Sequence, residues 1–193
     1  MFGQNGVEIQ TENSPFNPAS TYGCAKTFAY YLTRYYRQAF GIFASSAIFF
    51  NHESPRRTPE YVTRKITRAV ARIKLGKQDR LVLGDLTAKI DWGYSKEYME
   101  AAWQILQQDK PDDFIIATGE VHSIEEFVNE AFSYVDLDPT KYVSSNKKFF
   151  RPTKTGVLRA DISKARNTFG FDPKIKFKEL IKIMIDADLE MEK

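Results

Sequence analysis

The sequence predicts an α/β protein built on a parallel sheet. Short apolar runs alternate with amphipathic helical patterns along most of the chain. The run at 42–50 is apolar almost throughout, which is typical of a central strand covered on both faces. Hydrophobic residues make up 42% and charged residues 27% of the 193 residues, a composition that supports a globular domain with a real core.

The composition also excludes several classes of protein. A formal net charge of +3, from 28 basic and 25 acidic residues, does not by itself imply nucleic-acid binding. The single cysteine, Cys24, excludes an intrachain disulfide, and the two histidines leave little for a zinc site. No apolar run reaches the length of a membrane span, and the first residues do not form a signal peptide. We therefore expect a cytoplasmic protein that holds no metal and binds no membrane.

The first part of the chain divides into a loop, a helix, a strand and a polar loop. Prolines and asparagines make residues 1–20 loop-like. The pattern at 21–40 predicts a helix that ends at Gly41. This helix is apolar over so much of its surface that we expect it to be buried or to lie in a subunit interface. The strand at 42–50 leads into a polar loop at 51–57, the place where open α/β sheets bind ligands.

The rest of the chain continues the alternation of helices and strands. Ser123 and Glu126 have the spacing of a capping box, which marks the start of a helix. Residues 140–160 are predicted as a loop with short strands. No Gly-rich turn joins a strand to a helix, so the sequence contains neither a dinucleotide fingerprint nor a P-loop. The predicted helices are 61–75, 95–108, 124–135, 163–169 and 177–190, and the predicted strands are 81–85 and 114–118.

Tyr22 and Lys26 form the first motif that carries chemistry. Four residues apart near a predicted helix start, they lie on one helical face, one turn apart. A neighbouring ammonium stabilises the phenolate form of a tyrosine, which makes the phenol usable as an acid or base at neutral pH. The lysine can also donate hydrogen bonds to a ribose hydroxyl. Taken alone, such a pair is more often a plain helix face than a functional site, since the chain has 10 tyrosines and many lysines.

Several stretches match one family from the first residues almost to the end of the chain. They are MFG at 1–3, SPFNPASTYGCAK at 14–26, FNHESPRR at 50–57, VTRKITRA at 62–69, DWGYSKEYMEAAW at 91–103, IATGEVHSIEEFV at 116–128 and FFRP at 149–152. On these stretches the sequence resembles the GDP-mannose 4,6-dehydratases of the extended short-chain dehydrogenase/reductase superfamily. The segment NHESPRR followed by VTRKI is highly specific to this family.

The resemblance implies a fold and a division of labour. The chain would be the C-terminal part of a Rossmann-like, doubly wound parallel sheet, with a small, mostly helical α/β lobe that binds the sugar nucleotide. Residues 1–80 would be the remainder of the NADP-binding domain, and residues 81–193 the substrate lobe, interleaved with the first. The family's Gly-rich half, its catalytic Thr or Ser and its catalytic Glu would precede Met1, in a longer chain or in a separate N-terminal half.

The resemblance also implies a lyase that converts GDP-mannose to GDP-4-keto-6-deoxymannose and water, with transient hydride transfer to NADP. Tyr22 would take the proton of the C4 hydroxyl, while Lys26 would hold the nicotinamide ribose and tune Tyr22. His52 and Arg57 match further positions that contact the cofactor, and His122 is expected to be structural. The positions that match contacts to the sugar nucleotide are Asn51, Val62, Lys65, Leu83, Gly84 and Arg151.

Three positions depart from the family pattern. Asp85 stands where Asn is usual, Ile90 where Arg is usual, and Lys154 where Glu is usual. An arginine lost from a charge-assisted site costs about 1.5–3 kcal/mol. These departures leave a related nucleotide sugar, handled by a dehydratase or an epimerase, as an alternative to GDP-mannose. The choice between NADP and NAD also stays open, because the residues that normally make it lie in the family's Gly-rich half.

Two other classes of function remain as alternatives. One is a non-catalytic fragment that binds the sugar nucleotide and assembles with a separate half. The other is a nucleic-acid binder, suggested by the basic stripe of Arg64, Arg68 and Arg72. Such a stripe is most often a solvated helix face, and no nucleic-acid motif accompanies it. The resemblance further implies a homo-oligomer, a dimer or tetramer, with the helix at 22–40 as its candidate interface.

We predict that the purified 193-residue chain does not convert GDP-mannose by itself. Its sequence contains no Gly-rich turn, and the family's catalytic Glu would precede its Met-Phe-Gly segment. The measurement is turnover of GDP-mannose by the isolated chain with added NADP. Substantial turnover would contradict the prediction.

Overall fold

The structure, a computed structural model, describes residues 1–150 and 156–193. These residues divide into two compact units. Unit 1 takes the described residues of 1–52, 91–121 and 153–174, and unit 2 takes those of 53–90, 122–152 and 175–193. The chain therefore returns to each unit more than once. The functional division at residue 80 stays a prediction, because it concerns ligand binding rather than compactness.

The secondary structure is that of an α/β protein, as predicted. The α-helices are α1 (Thr21–Phe40), α2 (Val62–Lys74), α3 (Ser95–Ile105), α4 (Ile124–Tyr134), α5 (Ser163–Phe169) and α6 (Phe177–Met191). The strands are β1 (Ile9–Gln10), β2 (Ser46–Phe49), β3 (Asn51–Glu53), β4 (Leu81–Leu83), β5 (Lys89–Ile90), β6 (Trp92–Tyr94), β7 (Asp113–Ile116), β8 (His122–Ser123), β9 (Val143–Ser145) and β10 (Arg159–Ala160). Every predicted helix is present, with ends within about three residues of the prediction.

The sheet of unit 1 is built on β2 and β7. The two strands are parallel and in register from Ser46 opposite Asp113 to Phe49 opposite Ile116. All of β7 is buried, whereas Ile48 is the buried residue of β2. The run at 42–50 was expected to be covered on both faces, and the structure differs. Its first four residues lie outside the ladder, and the fully buried strand is β7 instead.

Helix α1 packs on the rest of unit 1 through a narrow stripe of its surface only. Ser20 caps its start by accepting a hydrogen bond from the backbone N–H of Gly23, and Gly41 ends it in the left-handed conformation. Among its twenty residues, Gly23 and Tyr30 are buried. The sequence predicts either burial or a subunit interface for this helix. The described part of this chain does not bury it. The exposed apolar side chains of the helix are Tyr22, Phe28, Tyr31, Leu32, Tyr35, Tyr36 and Phe40.

A buried ion pair ties α1 to the sheet. The two terminal nitrogens of Arg37 bond both carboxylate oxygens of Asp113, Nη1 to Oδ1 at 3.0 Å and Nη2 to Oδ2 at 2.8 Å. Arg37 also donates to the carbonyl oxygen of Ala44. Burial acts to raise the pKa of Asp113, but the hydrogen bonds and charge of Arg37 outweigh it and hold the pKa below its usual value.

Unit 2 is a helical layer with short strands. Helices α2, α4 and α6 pack on one another. Ser123 and Glu126 form the predicted capping box at the start of α4. Strand β4 pairs in parallel with β9, and β5 pairs antiparallel with β8. The core of this unit is made of the buried side chains Ile66, Val70, Ile73, Leu81, Leu83, Phe127, Val128, Phe132, Leu180, Ile181, Met184 and Ile185.

The basic stripe on α2 is solvated only in part, because Arg68 is exposed and Arg72 is half-buried. Arg64 is buried and forms an ion pair with the buried carboxylate of Asp188 on α6. Arg68 and Arg72 each bond one carboxylate oxygen of Glu192, at 2.7 Å. The three arginines therefore pair with two carboxylates, one from α6 and one from the residue that follows it, and Arg68 and Arg72 share the second.

No α-helix among residues 1–150 and 156–193 is long and apolar enough to cross a membrane.

We predict that Arg37→Met lowers the free energy of unfolding by about 3 kcal/mol, because it leaves the Asp113 carboxylate buried without its partner. The pKa of Asp113 is lower in the folded chain, so this stabilisation is present above the unfolded pKa of 3.8. It is lost as the pH falls through the folded pKa. Denaturant unfolding at neutral and acid pH measures both effects. Arg34→Met, which removes the same charge from the same helix, is the control, and an equal loss from Arg34→Met would contradict the prediction.

Candidate functional site

The start of α1 brings together the tyrosine and lysine singled out by spacing. The ammonium of Lys26 lies 5.5 Å from the centroid of the Tyr22 ring, one helical turn away. Both side chains are exposed, and the exposed fraction of Tyr22 is 71%. The pair is therefore accessible to a ligand along this face of the helix.

The Met-Phe-Gly segment is fixed against the loop that leads into α1. Gly3 forms a parallel bridge with Asn17, and the N–H of Asn17 donates to the carbonyl of Phe2 at 3.1 Å. Gly3 has a φ of 58°, and a Cβ placed there would lie 1.7 Å from the carbonyl oxygen of Asn17. Only glycine fits this position. The Phe2 ring is buried and packs on Phe16, which in turn contacts Tyr30 of α1.

The carboxyl end of β2 carries Asn51 and His52, as the position of the polar segment predicts. Asn51 is exposed. The Nδ1 atom of His52 lies 3.0 Å from the carbonyl oxygen of Phe50. The imidazole packs against the rings of Phe49 and Tyr98, which also contact each other.

A buried carboxylate orders the turn that follows β7. Asp91 is buried and accepts hydrogen bonds from the N–H and hydroxyl of Thr118 and from the N–H of Gly119, at 2.7–3.0 Å. Burial raises the pKa of Asp91 against the opposing effect of these bonds. Since β2 and β7 are parallel, this turn and His52 follow the carboxyl ends of neighbouring strands.

In unit 2, Arg57 is held by groups from its own loop. Glu53 is buried, accepts a hydrogen bond from the Thr63 hydroxyl at 2.8 Å, and lies 3.2 Å from Nε of Arg57. That Nε is out of hydrogen-bond geometry, so the contact is an ion pair only. The guanidinium stacks on the Tyr61 ring, 3.4 Å from its centroid. Burial raises the pKa of Glu53 against the opposing effects of Thr63 and Arg57.

The predicted contacts to the sugar nucleotide in unit 2 form a second group. Val62 begins α2, and one turn later Lys65 donates to the carbonyl of Val82 at 2.7 Å. The Lys65 ammonium lies 4.9 Å from the centroid of the exposed Phe149 ring. Leu83 is buried at the end of β4, and a Cβ on Gly84 would lie 2.5 Å from the carbonyl oxygen of Phe149.

The predicted site residues thus fall into two groups. Unit 1 carries Tyr22, Lys26, Asn51 and His52, and unit 2 carries Arg57, Val62, Lys65, Leu83 and Gly84. Arg151 and Lys154 lie outside the described residues. His122, expected to be structural, stacks on Phe177 with ring centroids 3.8 Å apart and planes at 8°. No group of three or more His, Cys, Asp or Glu side chains in the described part of the chain could hold a metal ion.

The comparisons with known proteins place this chain in one family. The family model described as GDP-mannose 4,6 dehydratase matches residues 1–184. This chain belongs to the GDP-mannose 4,6-dehydratase family. It is 48% identical to GDP-mannose 4,6 dehydratase 1 of Arabidopsis thaliana over 193 residues, which is 100% of this chain and 53% of that protein. It is 43% identical to the Homo sapiens GDP-mannose 4,6 dehydratase over 99% of this chain and 56% of that protein.

The family resemblance seen in the sequence motifs is therefore confirmed. This chain spans about half the length of the curated dehydratases that it matches. Solved structures confirm the fold class. RMD from Pseudomonas aeruginosa complexed with NADPH superposes with a TM-score of 0.87 at 19% identity, over 97% of this chain and 62% of that one. The dTDP-glucose 4,6-dehydratase from Bacillus anthracis in complex with NAD gives 0.85 at 17% identity, over 99% and 59%.

The dehydratase family implies a nicotinamide dinucleotide, and residues of this chain fit parts of one. The exposed phenol of Tyr22 and ammonium of Lys26 suit a ribose hydroxyl. The terminal nitrogens of Arg57 have no partner among the described residues, and a guanidinium held by stacking suits a phosphate. The donors present in this chain are therefore of the right chemistry for such a cofactor.

Two of the departures from the dehydratase pattern have local roles in the structure. Asp85 accepts hydrogen bonds from the N–H and hydroxyl of Thr87, at 2.9 and 2.6 Å, and so closes a tight turn after β4. Ile90 pairs with His122 where β5 meets β8.

Three further residues of the site, Glu53, Tyr98 and Asp91, were not predicted from the sequence. For Glu53, the sequence offers one signal, which is the position of its carboxylate inside the matched NHESPRR stretch.

Proposed function

We propose that this chain supplies the tyrosine–lysine pair and the sugar-nucleotide lobe of a GDP-mannose 4,6-dehydratase, a lyase. The product is GDP-4-keto-6-deoxymannose, formed with loss of water, and the cofactor is NADP. The observation that carries the proposal is the family match over residues 1–184 together with the accessible Tyr22–Lys26 pair on α1. A cytoplasmic location stays a prediction from the composition and the single cysteine.

The residues of unit 1 would handle the C4 hydroxyl of the mannose unit. When bound, NADP supplies a reversible acceptor for the C4 hydride, which makes the C5 proton acidic and allows the C6 hydroxyl to leave. Tyr22 would take the C4 hydroxyl proton, and the Lys26 ammonium beside the ring would stabilise the resulting phenolate. Lys26 would also donate to a ribose hydroxyl of the cofactor. We assign no residue of this chain to the C5 proton.

The residues of unit 2 would hold the nucleotide end of the substrate. Lys65 is anchored by the Val82 carbonyl and lies over the Phe149 ring, so it offers a fixed positive charge next to an aromatic face. The backbone at Leu83 and Gly84 passes close to Phe149 because Gly84 has no side chain. This combination suits a nucleotide, with the charge for a phosphate and the ring and backbone for a base. Asn51, Val62 and Arg151 are proposed to complete the contacts.

We predict that the chain binds GDP-mannose and GDP more tightly than UDP, and that Lys65→Met weakens the binding of GDP-mannose about 10- to 100-fold. This range corresponds to the loss of one charge-assisted contact, about 1.5–3 kcal/mol. Isothermal titration calorimetry of the 193-residue chain measures both. Lys182→Met, at an exposed position of α6, is the control and should leave the affinity unchanged.

The calorimetry also decides between the proposed substrate and its alternatives. Preference for UDP or another nucleotide would point to a related nucleotide sugar, in line with Ile90 where the family has Arg. No binding of any nucleotide by a folded chain would overturn the assignment of this lobe.

We further propose that α1 is the interface of a homo-oligomer. Its exposed side chains include Phe28, Tyr31, Tyr35 and Phe40, and so large an exposed apolar surface marks an interaction site. A second copy of α1 is the partner that this surface fits, because the same apolar rings are then buried on both sides of a two-fold contact.

Phe28→Glu is predicted to convert an oligomer of this chain to a monomer, since two copies of the new carboxylate would be buried near each other at the two-fold contact. The molar mass is measured by size-exclusion chromatography with light scattering. Trp103→Glu, on α3, is the matched control, because Trp103 and Phe28 have similar exposed fractions of 64% and 67%. A monomeric parent chain, or loss of assembly only in Trp103→Glu, would contradict the assignment of the interface to α1.

A further inference from the structure

The protonation pattern of the His52 imidazole is set by the backbone. Its Nδ1 atom lies 3.0 Å from the carbonyl oxygen of Phe50, and a carbonyl oxygen can only accept a hydrogen bond. Nδ1 therefore carries the hydrogen and donates it. In the neutral ring the other nitrogen, Nε2, is then left with its lone pair and acts as an acceptor.

The plane of the ring is set by aromatic packing. Tyr98 stacks on the imidazole with centroids 5.1 Å apart and planes at 30°, and Phe49 meets it edge-on at 5.3 Å and 70°. Tyr98 is completely buried, with an exposed fraction of 0%. Gly93 lies directly against the Tyr98 ring, because a Cβ there would be 2.3 Å from Cε2. The ring that supports His52 therefore has no room to turn aside.

The support is also electrically neutral. Burial, together with the charges of Asp91 and Glu97, raises the pKa of the Tyr98 phenol well above its usual value. The phenol is the titratable group packed on the His52 ring, and it keeps its proton. The His52 imidazole thus packs on the face of an uncharged phenol ring.

The Nε2 atom of His52 is the part of the ring that remains available. It has no hydrogen-bond partner among the described residues, and it is not among the buried polar atoms that lack one. His52 is half-buried, and its neighbour Asn51 is exposed at the carboxyl end of β2. An open acceptor at this edge of a parallel sheet is placed to meet a ligand.

We propose that Tyr98 and the Phe50 carbonyl are positioning groups that present His52 Nε2 as a hydrogen-bond acceptor, so that His52 takes an O–H or N–H donor of the nicotinamide nucleotide and not a phosphate. The identity of the ligand rests on the proposed function. The choice of donor rests on chemistry, because phosphate oxygens accept hydrogen bonds and cannot pair with a second acceptor. A ribose hydroxyl or an amide N–H has the required proton.

The tautomer is tested without any cofactor. The chain has two histidines, so nitrogen-15 NMR of the imidazoles gives two sets of signals, and His122→Gln assigns them. We expect the Nδ1–H tautomer for His52 in the parent chain and in Tyr98→Phe, which keeps the ring. In Tyr98→Leu, which removes the ring, the upfield shift of the His52 ring protons and the single tautomer should both be lost. An Nε2–H tautomer in the parent, or an unchanged His52 spectrum in a folded Tyr98→Leu, would overturn the proposal.

The ligand is tested in the parent chain and in Tyr98→Phe, which avoids any variant that fails to fold. A donor to the Nε2 lone pair changes the nitrogen-15 shift of that atom, so NADP⁺ should move the Nε2 resonance of His52 upfield, whereas inorganic pyrophosphate should leave it in place. An unchanged Nε2 resonance with NADP⁺, together with shifts at Lys26, would overturn this inference and leave the proposed function standing. No response to NADP⁺ at either Lys26 or His52 would overturn the proposed cofactor site of unit 1 and, with it, the ligand assigned to His52.

Discussion

Unit 1 depends on the parallel pairing of β2 with β7. At the start of the pair, Ser46 lies opposite Asp113, whose carboxylate holds Arg37 and with it the whole of α1. At the other end, the N–H of Phe50 donates to the carbonyl of Ile116, and the chain continues into His52. A slip of one residue in this register would turn the side chains of β2 to the opposite face. The anchor of α1 and the position of the imidazole are thus fixed by the same few hydrogen bonds.

The parallel direction of these strands also explains why polar groups gather at one edge. Both strands end at the same side of the sheet, so the turn ordered by Asp91 follows β7 where His52 follows β2. Three of the buried carboxylates have a related role, since Asp91 orders the turn after β7, Asp113 holds α1 and Glu53 contacts Arg57 in its loop. A buried charge is costly unless it is well paired, so such groups define one geometry more than they add stability.

The elements that could be predicted are those whose signals are local. Gly41 and the Ser123–Glu126 box mark helix ends through their own backbone geometry, and the structure has α1 and α4 where these residues place them. Strands β1, β5 and β8 have two residues each and escaped prediction. Their existence depends on distant pairing partners, such as Arg159 and Ala160 for β1, which no local pattern reveals.

The candidate site likewise contains some residues that can be predicted from the sequence and others that cannot. The Tyr22–Lys26 pair follows from helical spacing alone, and its side-by-side geometry is what the structure has. Leu83 and Gly84 have no chemistry of their own, so only the family resemblance could point to them. Tyr98 resembles any core aromatic until the imidazole packed on it is seen. The basic stripe on α2 could not be interpreted correctly, because its counter-charges Asp188 and Glu192 are more than 110 residues further along the chain.

The position of Glu192 makes this residue an internal counterion. Its carboxylate meets Arg68 and Arg72, and its carbonyl accepts from Lys77. A shortened form of the protein that lacks Glu192 would leave the guanidinium groups of Arg68 and Arg72 without this counter-charge, while Arg64 would keep Asp188. Such a form would bind cation-exchange resins and polyanions more tightly than the 193-residue chain, and the gain would reflect the lost counterion rather than a nucleic-acid site.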